Sequence, residues 1–362
     1  MTRFLQDILR QPHELLRVID ELNGAARKLL ESAALAIRGA RHVYVTGIGA
    51  SGNAALSAGS IFHAGGLPVY MLDAAELLQF SRIPAGTVIL LLSRSGRSIE
   101  IVKLLSRARE TGATVIGVTN FADGVLAQEA NVPFVIPVKP DHGISVNTYS
   151  TLAIAAAAIA SAAVNSFSKD LAYALSIAVS ETAKCFPDWQ QQLEDASWLR
   201  PVAPYYFLAR GSSLASAYEA RLLWEEGAKS HAAAMGTDSF RHGPQEAMSK
   251  DVRVAIWIDS DHMREQDLAT ANDLRRLGAS AMLIGHNIPR DAGDLVFQLP
   301  KVPPLWQFLI DIVPVQFAAE RLAHLAGVDC DSFRFASYIV EDDRGLLSNG
   351  VATPANMKSN LS

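Results

Sequence analysis

The chain has 362 residues, 49% of them hydrophobic, enough to bury one large core or two ordinary ones, and two domains is the expectation. Its formal net charge is −5 with no long basic run, which argues against a nucleic-acid surface and leaves small molecules or further copies of the chain as partners. Cys185 and Cys330 are the only cysteines, too few for a disulfide framework or a cysteine-rich metal site, as suits a reduced cytoplasm.

Residues Met1 to Asp20 are charged and lack an apolar core followed by a cleavage site, so no signal peptide is expected. Pro12 is read as opening a long helix with apolar positions at Leu15, Leu16, Ile19, Leu22, Ala26, Leu29 and Leu30, giving a helical segment over 1–40. Strands are then predicted at His42–Thr46, Pro68–Leu72, Thr87–Leu92, Ala113–Thr119 and Val132–Pro137. Most are continuous enough in Val, Ile and Leu to be buried on both faces, as in a parallel sheet. Residues 41–200 are therefore expected to form a doubly wound α/β/α sandwich with a helical connector.

The most informative stretch is Ser93-Arg94-Ser95-Gly96-Arg97-Ser98, between the apolar run Val88–Leu92 and the helix-like Ile99–Leu105. A buried strand that stops in hydroxyl residues and Gly, then turns into a helix, aims unpaired N–H groups and the positive helix end at one point, where an anion fits. Neither a P-loop nor a dinucleotide fingerprint matches, so phosphate would be held by hydroxyls and amides without an obligatory lysine or Mg²⁺.

Helical pattern runs from about Val146 to Leu199, punctuated by Pro201 and Pro204. Its Ala-rich part, Thr151–Val164, is too short and weakly apolar to span a bilayer, which takes roughly 20 strongly apolar residues, and it is read as a buried helix. Strands are predicted again at Tyr205–Ala209, Val252–Ile258, Ala279–Ile284 and Leu295–Leu299, with a last long helix over Trp306–Ala326. Val43–Thr46 runs into Gly49-Ala50-Ser51 as Tyr206–Ala209 runs into Gly211-Ser212-Ser213, which suggests a duplicated domain, the second copy over 201–345. The Asn- and Ser-rich end, 346–362, is read as a mobile tail.

Gly49-Ala50-Ser51, the Ser93–Ser98 stretch, Gly211-Ser212-Ser213, Glu226 and Arg241-His242-Gly243-Pro244, in this order, resemble the SIS (sugar isomerase) family, in the tandem form seen in the isomerase half of glucosamine-6-phosphate synthases and in related deaminases and deglycases. The resemblance covers roughly residues 40 to 340. It implies that Ser51, Ser93, Ser95 and Ser98 hold the phosphate of a sugar phosphate, with Gly49 at the site and Arg94 where the synthases have Gln. For Arg94 and Arg97, phosphate contact and solvated surface both stay open. It further implies that Glu226 moves a proton between C1 and C2 of the sugar. A sheltered Glu suits that task, because burial raises its pKa towards the operating pH. His242 is implied to open the sugar ring from a neighbouring subunit, which makes a homodimer a condition of activity; a reference pKa near 6.5 suits it to proton transfer at neutral pH.

Two family lysines are replaced: Leu223 stands one turn before Glu226, and Tyr338 stands near the C-terminal lysine position. A tyrosine can donate a hydrogen bond or a proton but cannot form a Schiff base. No glutaminase domain with a Cys nucleophile is recognisable in the chain. These departures favour an amino-sugar-6-phosphate deaminase or isomerase over a synthase, with a fructosamine-6-phosphate deglycase or a non-catalytic sugar-phosphate regulator as alternatives. The other histidines show no metal-ligand spacing, so no metal or other cofactor is expected.

Overall fold

The computed structural model describes residues 1–335 and 337–342; the tail reading for 346–362 lies outside the described residues. Two helices, α1 (Arg3–Asn23) and α2 (Arg27–Gly39), lead into β1 (His42–Gly47), α3 (Ala50–Ala64), β2 (Tyr70–Asp73), α4 (Ala74–Phe80), β3 (Thr87–Leu92), α5 (Ile99–Thr111), β4 (Thr114–Thr119), α6 (Val125–Glu129) and β5 (Val132–Val135). Helices α7 (Asn147–Ala163) and α8 (Lys169–Asp195) follow. The second half runs β6 (Tyr205–Ala209), α9 (Leu214–Glu226), β7 (Ala232–Gly236), α10 (Thr237–Arg241), β8 (Arg253–Trp257), α11 (Arg264–Arg276), β9 (Ser280–Gly285), β10 (Leu295–Gln298), α12 (Phe308–Asp311) and α13 (Val313–Ala326).

Each half holds a five-stranded, all-parallel sheet, ordered β2-β1-β3-β4-β5 in the first and β10-β9-β8-β6-β7 in the second. Counted from the first strand of each half, these are the same doubly wound order. Alternate residues of a strand face opposite ways, and the cores follow: Val43, Val45, Val88 and Leu90 face one cluster, Tyr44, Ile89 and Leu91 another. The first of these clusters is shared, since it also takes Phe207, Ala255, Trp257 and Met282 from the second sheet. The helices between the sheets are therefore common property. Helix α7 packs on α1, α2 and α3, and α3 in turn on α9. Alanines of α7 (Ala155–Ala158) and of α3 (Ala54, Ala55 and Ala58) are buried in the same cluster where these two helices pack, and such small side chains permit a close approach.

Several sequence expectations need correction. The first helix begins at Arg3, with Pro12 inside it, because Thr2 Oγ1 accepts from Leu5 N and the Asp331 carboxylate accepts from Arg3 N and Phe4 N. Those acceptors satisfy the orphan donors of the first turn, and one of them comes from the far end of the chain. The same pattern breaks at Gly24 into two helices, and the 146–199 section breaks after Ala163. Pro314 ends α12 and starts α13 where one helix was expected.

Candidate active site

Strands β1 and β3 are neighbours, yet α3 packs on the shared core and α5 on the outer one. The connections leave in opposite directions and open a crevice at the carboxyl ends of these strands, where ligands bind in open α/β sheets. Gly49, with φ +58, caps the start of α3 on one side. On the other, Gly96 has φ +65 and a Cβ there would come within 2.9 Å of Leu126 Cβ, so the Ser93–Ser98 loop can hold its tight turn only with glycine.

The hydroxyls of this loop divide their bonding in one way. Ser51 Oγ accepts from Arg94 N (3.2 Å), Ser93 Oγ from Gly96 N (3.1 Å) and Ser95 Oγ from Arg97 N (3.2 Å). Ser98 is the N-cap of α5 but its side chain makes no capping bond. Lone pairs thus tie the loop together while the O–H protons stay available, and a hydroxyl donates as well as accepts. All four serines line one cleft of about 240 Å³ with Gly49, Arg94, Glu226 and Tyr338.

Arg94 crosses this cleft. Its guanidinium donates to Ser145 Oγ (3.1 Å) and to the Tyr338 carbonyl (2.5 Å) and lies 3.8 Å from the Tyr338 ring centroid, a cation–π arrangement. The C-terminal segment is held over the opening by this contact and by Ile99 N donating to the Val340 carbonyl (3.0 Å). Tyr338 Oη donates to the Asp141 carbonyl (3.3 Å), so its proton is directed at the 139–148 loop. That loop is fastened: Asp141 accepts from Val146 N, Asn147 N, Thr148 N and Thr148 Oγ1. Arg97 lies outside the cleft, exposed and paired with Asp123.

Glu226 is the last residue of α9, and Glu225 beside it is exposed. Burial pushes the Glu226 carboxyl up to about 7, against the downward pull of Arg94 and Lys229. Sequence reasoning missed four neighbours. Lys229 donates to the Glu226 and Ser332 carbonyls and joins the end of α9 to the C-terminal segment; burial lowers its pKa. Glu219, two turns back along α9, is fully buried, accepts from Asn53 Nδ2 of α3 (2.9 Å) and is pushed by burial up to about 8. Ser145 and Glu100 line the cleft, Glu100 with a buried Oε2 that has no hydrogen-bond partner among the described residues. Leu223 is packed in the core. His242 caps α10, exposed and outside the cleft lining.

Fold and crevice define a doubly wound α/β protein with a serine-lined cleft at the switch point of its first sheet. Residues 36–161 match the family model described as SIS domain, and the chain carries a SIS domain there. The chain is homologous to the isomerase region of glutamine–fructose-6-phosphate aminotransferases: the Pyrobaculum aerophilum protein is 25% identical over 346 residues, 91% of this chain and 56% of the relative. The chain spans about half the length of the curated relatives it matches. Among solved structures, glucosamine-6-phosphate deaminase from Thermotoga maritima superposes with a TM-score of 0.79 at 21% identity, covering 94% of this chain and 99% of that one. The C-terminal domain of glucosamine-fructose-6-phosphate aminotransferase from Francisella tularensis gives 0.78 at 19% identity, covering 91% and 98%. Among the described residues, no helix is long and apolar enough to cross a membrane and no group of His, Cys, Asp or Glu is placed to hold a metal.

Proposed function

We propose that the protein is a cytoplasmic phosphosugar enzyme that moves a proton between C1 and C2 of an open-chain, nitrogen-bearing hexose 6-phosphate, as an amino-sugar-6-phosphate deaminase or isomerase. The observation that carries this reading is that four serines with uncommitted O–H groups share one cleft with a carboxyl group poised near neutral pH. Ser51, Ser93, Ser95 and Ser98 grip the phosphate, and Glu226 serves as the base. Removal of the C2 proton from a 2-amino aldose and its return at C1 leave an iminium at C2, which water hydrolyses to the 2-ketose and ammonia. Arg94 supplies the nearby positive charge that favours the enolate-like state between the two proton transfers.

Among the described residues no lysine lines the cleft, which supports a route in which the nitrogen arrives on the substrate and no protein imine forms. The second sheet, with the same strand order, is read as a second SIS-type unit, and His242 as the ring-opening residue contributed by another copy of the chain. A screen of 6-phosphorylated hexosamines and fructosamines for ammonia or amine release tests the activity. Release of a free amine from a fructosamine phosphate would assign the deglycase reaction instead, and saturable binding without product would leave a regulator. Mixing inactive Glu226→Gln and His242→Asn chains tests the shared site: activity returns in the mixture if two copies complete it, and stays absent if they do not.

A further inference from the structure

The second sheet opens a crevice by the same geometry as the first, since α9 packs on the shared core and α11 on the outer one. A two-lobed cleft lies there, its larger lobe about 360 Å³ and its smaller about 220 Å³, with Ser213, Trp257, Ser260, Asp261 and Gln307 common to both. The larger lobe alone falls in the range of small-molecule sites, roughly 300–1,000 Å³. Its chemistry differs from that of the first cleft. Where the first sheet has Ser93–Ser98, this one has Asp259-Ser260-Asp261, which sets two carboxylates in the lining, and the arginine there, Arg210, is already paired with Asp238 and Asp267.

Asp311 lies at the base of the smaller lobe, wholly buried. Ser213 Oγ (2.6 Å) and Ser216 Oγ donate to its carboxylate, yet it has no cationic partner among the described residues. A buried carboxylate without a countercharge is costly, and an ammonium entering the cleft would supply one. Polar groups for hydroxyls are in place: Gln307 Nε2 donates to Ser260 Oγ (3.2 Å), and His286 Nδ1 is engaged by the Leu299 carbonyl (3.0 Å), which leaves Nε2 uncommitted among the described residues. Trp257, Ile284 and Leu299 give an apolar wall, and Lys301 stands exposed at the rim.

We infer that this cleft is a second binding site, separate from the phosphosugar cleft, for a small polyhydroxylated amine that carries no phosphate. Calorimetric titration of the full chain with free D-glucosamine tests it, with D-glucose as the probe that keeps the hydroxyls and lacks the ammonium. The expected result is one saturable site for D-glucosamine and at least tenfold weaker binding of D-glucose. Ser260→Trp, made at an exposed position, fills the cleft and abolishes the D-glucosamine signal, while Ser95→Ala in the first cleft leaves it intact. Asp311→Asn weakens it at least tenfold; should that variant fail to fold, the glucose comparison and Ser260→Trp still decide. Equal affinity for the two sugars, binding that survives Ser260→Trp or is lost in Ser95→Ala, or no binding at all would overturn the assignment.

Discussion

Replacing Glu226 by Gln keeps the side chain's shape and removes its ability to take a proton, so its two effects should run in opposite directions. Turnover should fall about 10²- to 10⁴-fold, the usual contribution of a positioned general base, which is roughly 3–5 kcal/mol of barrier. Stability should rise. The carboxyl goes from 4.5 to about 7 on folding because burial disfavours its charge. Between these two values the native state binds more protons than the unfolded chain, so stability is lost as pH rises through that window. The rise from 4.5 to about 7 corresponds to ~3 kcal/mol at pH 8, an upper figure for a side chain that keeps some contact with water. Gln carries no such penalty. Denaturant unfolding of both proteins at pH 8 and pH 4.5, with product release measured alongside, separates the outcomes: the variant should be the more stable at pH 8 and nearly equal at pH 4.5. Unchanged turnover, or a variant that is less stable at pH 8, would refute the assignment of a sheltered base whose charge is disfavoured by burial.

The pH profile of kcat/KM should show an acid limb with an apparent pKa near 7, falling about tenfold per unit below it, and Arg94→Gln should move that limb upward because the charge lowering the Glu226 pKa is gone. Ser98→Ala should raise KM for a phosphorylated substrate roughly 10- to 100-fold, the worth of one hydrogen bond to a charged group, with the melting temperature unchanged since this hydroxyl makes no capping bond. Dialysis against a chelator should leave activity intact; loss that a divalent ion restores would contradict a purely proteinaceous site.

Much of the fold could be read from the residues because the strands are short apolar runs bounded by turns: β3 and β6 fall where Thr87–Leu92 and Tyr205–Ala209 placed them. Strand β7 escaped because Ala232–Gly236 has neither β-branched residues nor alternation, and it pairs through the edge that β6 offers. At the cleft, the serine loop announces itself through hydroxyls between a strand and a helix, and Glu226 through a motif. Lys229, Ser145 and Glu219 carry no comparable signal. Their positions depend on α3, α9 and the C-terminal segment meeting in space, and a buried carboxyl such as Glu219 looks in the sequence like any solvated helix residue.

The hydrophobic cluster that both sheets share has a consequence for how the chain comes apart. Neither half can shed its inner helices without stripping the other of its wall, so unfolding should proceed as one cooperative event, with amide exchange in β1 and β6 equally slow. Severed halves would each expose an apolar face meant for the other and should recover order only when recombined.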